Sequence, residues 1–126
     1  MKSPKAIRLV TTLSVFALLG ILAPLAAAQG KQDFTLYNRT GMSITSMYVS
    51  PAAEDEWGSD ILGIDTLASG DDTTITFSPK ERVASWDIKL IDENGKEHIR
   101  YKFNLLNVSE ITVTKQKDGS WYWTWK

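Results

Sequence analysis

Carboxylates offer more chemistry than any other side chains in this sequence. Glu54, Asp55, Glu56, Asp60, Asp65, Asp71 and Asp72 crowd one stretch, and no Lys or Arg falls between Arg39 and Lys80. Clustered carboxylates can hold Ca²⁺, which takes about six to eight oxygens from carboxylates, carbonyls and water. Glu54, Asp55, Glu56 and Asp60 are the candidate ligands for such an ion. Their spacing lacks the D-x-[DN]-x-[DN]-G run of an EF-hand, so calcium is the alternative and a solvated acidic loop the simpler account. Tyr48 and Trp57 belong to the same irregular stretch. Loops on a rigid scaffold commonly carry recognition. Tyr48, Trp57 and Asp60 are therefore the expected contacts for a protein or small-ligand partner, with no cofactor required.

Other chemistries lack their residues. There is no cysteine, which removes a thiol nucleophile, a redox pair and cysteine-based metal sites. His98 is the only histidine, so a multi-histidine zinc site is absent, as is a Ser-His-Asp triad lacking that residue. His98 is expected on the polar surface of its strand, opposite Ile91. No P-loop, dinucleotide fingerprint or G-x-S-x-G elbow occurs. A hydrolase working through two carboxylates about 5 to 10 Å apart is a third and weaker option, because nothing in the sequence marks a cleft. The chain therefore reads as non-enzymatic.

The elements that position these residues are strands. Alternation with period two dominates, and no stretch keeps a helical period over three turns. Expected strands are Phe34 to Asn38, Ile44 to Val49, Ile61 to Leu67, Thr73 to Phe77, Ser85 to Asp92, Glu97 to Leu105, Glu110 to Gln116 and Ser120 to Trp125. Gly, Pro, Asn, Asp and Ser fill the gaps, as in an all-β domain. Asn38-Arg39-Thr40-Gly41 reads as a turn. Asn94-Gly95 suits a two-residue type I′ turn. Such a turn would set Leu90 opposite Ile99, Ile88 opposite Tyr101 and Trp86 opposite Phe103, with Asp87 facing Lys102 and Lys89 facing Arg100 on the other side. For the last hairpin, a three-residue loop at Lys117-Asp118-Gly119 aligns Val113 with Trp123 and Ile111 with Trp125, whereas a two-residue loop mixes the faces. The Trp121-Tyr122-Trp123-Thr124-Trp125 strand could stack on sugars or anchor at a membrane, but a small disulfide-free domain needs that area as core. Trp123 is the tryptophan most firmly expected inside.

The first 28 residues look like an export signal. Lys2, Lys5 and Arg8 precede an apolar run from Leu9 to Leu22, and Ala26-Ala27-Ala28 supplies a small-residue cleavage pattern. Residues 29–126 are then one domain, periplasmic or secreted, with membrane contact only if the signal stays uncleaved. Of the fourteen Lys and Arg, three lie in that segment; the remaining eleven face fifteen acids. A net charge of −4 does not favour nucleic acid.

Asn38-Arg39-Thr40-Gly41, Tyr48-Val49-Ser50-Pro51, Trp57-Gly58, Asp60, Leu62-Gly63 and Trp86-Asp87 together resemble a group of small exported bacterial β-domain proteins without an established activity. The similarity runs from about Asp33 to Val113. It implies a bacterial β-domain and supplies no catalytic residue. Members often carry cysteines near the positions of Ala84 and Leu106; without them no disulfide carries over. Some are called argininosuccinate lyase, but that enzyme's large helical fold and Gly-Ser-Ser-rich loop have no counterpart here. The expectation is a single antiparallel β-sandwich of about seven or eight strands, acting as an exported non-catalytic binding module through the acidic Pro51 to Asp72 region.

Overall fold

The computed structural model describes residues 3–4, 9–10 and 30–126. The expected leader, 1–28, lies outside the described residues apart from those two short segments. From residue 30 onward eight strands follow one another: β1 (Phe34–Arg39), β2 (Ile44–Pro51), β3 (Glu56–Trp57), β4 (Asp72–Phe77), β5 (Ser85–Asp92), β6 (Glu97–Asn104), β7 (Glu110–Lys115) and β8 (Trp121–Trp125). A single 3-10 turn, Leu105–Asn107, links β6 to β7, started by the Asn104 side chain accepting from Leu106 N–H at 3.1 Å. No described helix is long and apolar enough to cross a membrane.

Two sheets pack into a sandwich. One runs β8-β7-β1-β4, with Leu9–Val10 paired to the outer side of β4; the other runs β2-β5-β6. Ser3–Pro4 pairs with β3. Neighbouring strands within the two sheets are antiparallel except β1 and β7, which run parallel from Thr35–Glu110 to Arg39–Thr114. The period-two pattern explains the layering. Phe34 and Leu36, Ile75 and Phe77, and Ile111 and Val113 point inward from one sheet, while Met47, Val49, Trp86, Ile88 and Leu90 meet them from the other. Phe77 packs edge-on to Trp86, with ring centroids 4.9 Å apart. The Trp86 indole N–H donates to Val83 C=O at 2.8 Å, which satisfies its one polar atom inside the core.

The final hairpin has the expected register: Val113 faces Trp123 and Ile111 faces Trp125. Gly119, at φ +92°, takes the left-handed position and donates to Gln116 C=O. Trp121 and Trp123 are buried, whereas Trp125 is 46% exposed. The Asn38 turn is also as expected. Its amide donates to Met42 C=O and Leu67 C=O at 2.8 and 2.9 Å, and its oxygen accepts from the Thr40 N–H and hydroxyl.

Two expectations fail. Ile61 to Leu67 is not a strand but a chain of turns, in which Gly63 N–H bonds Asp60 C=O and Asp65 N–H bonds Leu62 C=O; only Leu67 bridges to Ile44. Apolar residues there suggest alternation, yet Ile64 is 99% exposed at the tip. The second failure is the β5–β6 register. Leu90 pairs with His98 and Ile88 with Arg100, not with Ile99 and Tyr101. Asn94 does not take the positive φ that a type I′ turn demands; only Gly95 does, at +82°. The loop is therefore three residues, closed by Gly95 N–H to Asp92 C=O and Asp92 N–H to Lys96 C=O. The cause is the Asp92 side chain, whose Oδ1 accepts from the N–H groups of Asn94 and Lys96 at 2.8 and 3.1 Å.

A bulge repairs the shift. Between Ile88–Arg100 and Trp86–Phe103 the strand β6 carries one extra residue. Lys102 takes φ +56°, and its N–H is held by the buried Asp87 carboxylate at 2.9 Å. Asp87, on the face of β5 opposite Trp86 and Ile88, thus holds backbone, and in the ladder Asp87 is not set against Lys102 nor Lys89 against Arg100. Lys89 instead pairs along the ladder with Ile99. Tyr101 ends 59% exposed, and His98 turns inward, correcting its expected surface position.

Candidate functional site

The acidic stretch folds into a cleft. Asp60, Asp65, Asp71 and Asp72, with Ile61, Leu62 and Leu67, line an open concavity of about 710 Å³, larger than the two concavities beside β8, of about 380 and 270 Å³. The turns after Asp60 form one wall, and the start of β4 forms the other. Ile64 stands beside this cleft as a bare apolar side chain. Asp65, Asp71 and Asp72 were visible in the charge pattern, but sequence alone gave no reason to single them out. Their convergence depends on Ile44–Leu67 bridging and on Gly70 N–H bonding Asn38 C=O at 2.7 Å.

Of the expected contact residues, only Asp60 lines this cleft. Its Oδ1 is already engaged, accepting from Met47 N–H and Leu62 N–H at 3.0 Å each. Asp60 therefore ties the cleft wall to β2. Tyr48 is half-buried on β2, and Trp57 is buried on β3, their rings 6.5 Å apart. Lys89 lies over both, with Nζ 4.7 Å from the Tyr48 centroid and 5.0 Å from that of Trp57, and reaches Glu97 at 3.7 Å. This cation–aromatic cluster occupies the rings that sequence reasoning assigned to a partner. Among the described residues no three His, Asp or Glu side chains group closely enough to hold a metal ion.

A buried acid–imidazole pair joins the end of β5 to the start of β6. His98 Nε2 meets Asp92 Oδ2 at 2.9 Å, and the imidazole stacks on Trp121 with centroids 3.8 Å apart and planes 8° from parallel. Burial alone would push the Asp92 carboxyl up. The bonds from His98, Lys96 and Asn94, with the His98 charge, outweigh it and hold the group below its ordinary value. Asp33 goes the other way: desolvation raises its carboxyl, against the bonds it accepts from Phe77 N–H and Gly30 N–H at 2.7 and 3.0 Å. Sequence reasoning missed the His98 pair because the register that brings it inside is set by Asp92. A second cationic feature lies where β6 faces β8. The Arg100 guanidinium lies 4.5 Å over Trp125 and 5.2 Å over Phe103, with Phe103 and Trp125 packed edge-on at 5.0 Å.

No protein-family model matches this chain, and no curated protein does. Among solved structures, an NMR structure of a protein from Eubacterium rectale superposes with a TM-score of 0.53 at 12% sequence identity, covering 74% of this chain and 85% of that one. At that identity the likeness shows the shared sandwich alone.

Proposed function

We propose that this chain is an exported, non-catalytic binding module whose acidic cleft receives a cationic group of a protein or small ligand. The single observation that supports it is the coincidence of charge and shape. Four aspartates line one concavity, in a stretch with no Lys or Arg to neutralise them. A concave surface lined by one sign of charge focuses its field and raises the local concentration of opposite charge. The exposed Ile64 adds apolar contact at the rim, which suits a ligand with both an aliphatic body and a positive head. Export is supported by the leader pattern of residues 1–28 and by the resemblance to small exported bacterial β-domain proteins.

The test is calorimetric titration with spermine and with a Lys-Leu peptide, in low and in physiological salt. Binding weakens with salt, because exposed charges are screened beyond about 10 Å at 0.1 M ionic strength. It also weakens in Asp65→Asn/Asp72→Asn, a double variant that leaves the Asp60 backbone ties intact. Equal affinity in that variant and the parent would remove the cleft as the site.

A further inference from the structure

Among the described residues the outer edge of β8 is an unpaired strand edge. In the β7–β8 hairpin the Gln116–Ser120 and Glu110–Lys126 contacts are backbone hydrogen bonds. Bonded and non-bonded pairs alternate in an antiparallel ladder. Given the Tyr122–Thr114 and Thr124–Thr112 register, the N–H and C=O groups of Trp121, Trp123 and Trp125 face away from β7. Among the described residues no strand pairs with that side of β8. Arg100 reaches the same edge. With Tyr122, Trp123, Thr124 and Trp125 it lines a concavity of about 380 Å³. The guanidinium is half-buried on the Trp125 ring, and among the described residues no carboxylate forms an ion pair with it.

We propose that this edge binds an extended acidic peptide, which adds a strand to β8 and seats one carboxylate on Arg100. An exposed edge offers main-chain bonds at every second residue, and side-chain contacts at the same spacing supply selectivity. A guanidinium lying flat on an indole uses its face and keeps its N–H fork for a bidentate carboxylate. The neighbouring edge, β6, is blunted by the Lys102 bulge, a common protection of strand edges, whereas β8 has no bulge. Lys115, at the end of β7, and Lys117, in the hairpin loop with the single acid Asp118, add positive charge that steers an acidic partner toward this side. A second copy of β8 fits poorly, because Trp121–Trp125 carries no acid to answer Arg100.

The experiment titrates the full chain with three labelled peptides of roughly ten residues, a length typical of strands. They are alternating Val-Glu, alternating Val-Lys, and Val-Glu N-methylated at alternate residues. Anisotropy and tryptophan emission are read together. Only the unmodified Val-Glu peptide is expected to bind, and Arg100→Gln is expected to weaken it about tenfold, the scale of one charge-assisted contact. Far-ultraviolet dichroism of Arg100→Gln, which replaces a half-exposed side chain, checks that the fold is kept. Equal binding of the N-methylated peptide would overturn strand addition, and undiminished binding by Arg100→Gln would overturn the carboxylate seat. Peptide-free self-association that is lost in Arg100→Gln would make the occupant a second copy and refute the acidic-peptide partner.

Discussion

Asp92→Ala is the sharpest test of what sets the β5–β6 register. The substitution removes three acceptor contacts at once: Asn94 N–H at 2.8 Å, Lys96 N–H at 3.1 Å and His98 Nε2 at 2.9 Å. Hydrogen bonds to a charged group contribute about 1.5 to 3 kcal/mol each, but two of these N–H groups sit at a turn where water can replace the oxygen. The buried imidazole has no such relief under Trp121. Breaking one side of a buried pair costs about 3 to 5 kcal/mol, so a total near 4 kcal/mol is expected. That is a large share of the roughly 5 to 15 kcal/mol that holds a domain together. At about 4 to 8 °C per kcal/mol for a domain of this size, the melting point should fall by about 16 °C or more. The sign of the pH dependence follows from the lowered Asp92 carboxyl. A group whose folded value lies below its unfolded one contributes stability above the unfolded value, and loses it as pH falls through the folded value. Thermal melts of both proteins should therefore differ most at pH 7 and converge as the pH falls below the ordinary carboxylate range. A loss under 1 kcal/mol at pH 7, or an equal loss at both ends of the range, would refute the role given to this carboxylate.

Asp60→Ala should cost about 1 to 3 kcal/mol in urea denaturation, because Met47 N–H and Leu62 N–H lose their acceptor, while Asp60→Asn, which keeps an oxygen, should cost less than half of that. Equal losses would mean that charge, not the acceptor, matters there. In Asn38→Ala, four hydrogen bonds of a fully buried amide vanish, and the midpoint should drop by about 2 to 4 kcal/mol of stability, read by the same method. Gly95→Ala meets no atom within 4 Å, so its cost should be the left-handed backbone alone, about 1 kcal/mol. A loss above 3 kcal/mol would show that the turn is packed more tightly than the geometry indicates.

Legibility in the sequence followed the range of the physics involved. The β7–β8 hairpin was readable because loop length and face matching agreed: only a three-residue loop puts Val113 across from Trp123. The acidic cluster was readable as composition, and the cleft forms within it. At β5–β6 a strong local signal, Asn94-Gly95, lost to a side chain two residues upstream, since Asp92 satisfies two turn N–H groups and an imidazole together. The fate of Tyr48 and Trp57 was hidden for a related reason. Lys89 comes to lie over their rings only because β2 and β5 pair in the register Tyr48–Lys89. Arg100 on Trp125 lay still further out of reach, because that contact spans two sheets.

The parallel pairing of β1 with β7 imposes an order on biosynthesis. Thr35 finds its ladder partner Glu110 only 75 residues later in the chain. Ordering such a distant contact is slow, since loop closure must precede the reward. β1 therefore waits, one side of its ladder unmade, until β7 has been synthesised. Until then β1 has only β4 beside it, and the sheet that carries the acidic cleft's second wall is open along its middle.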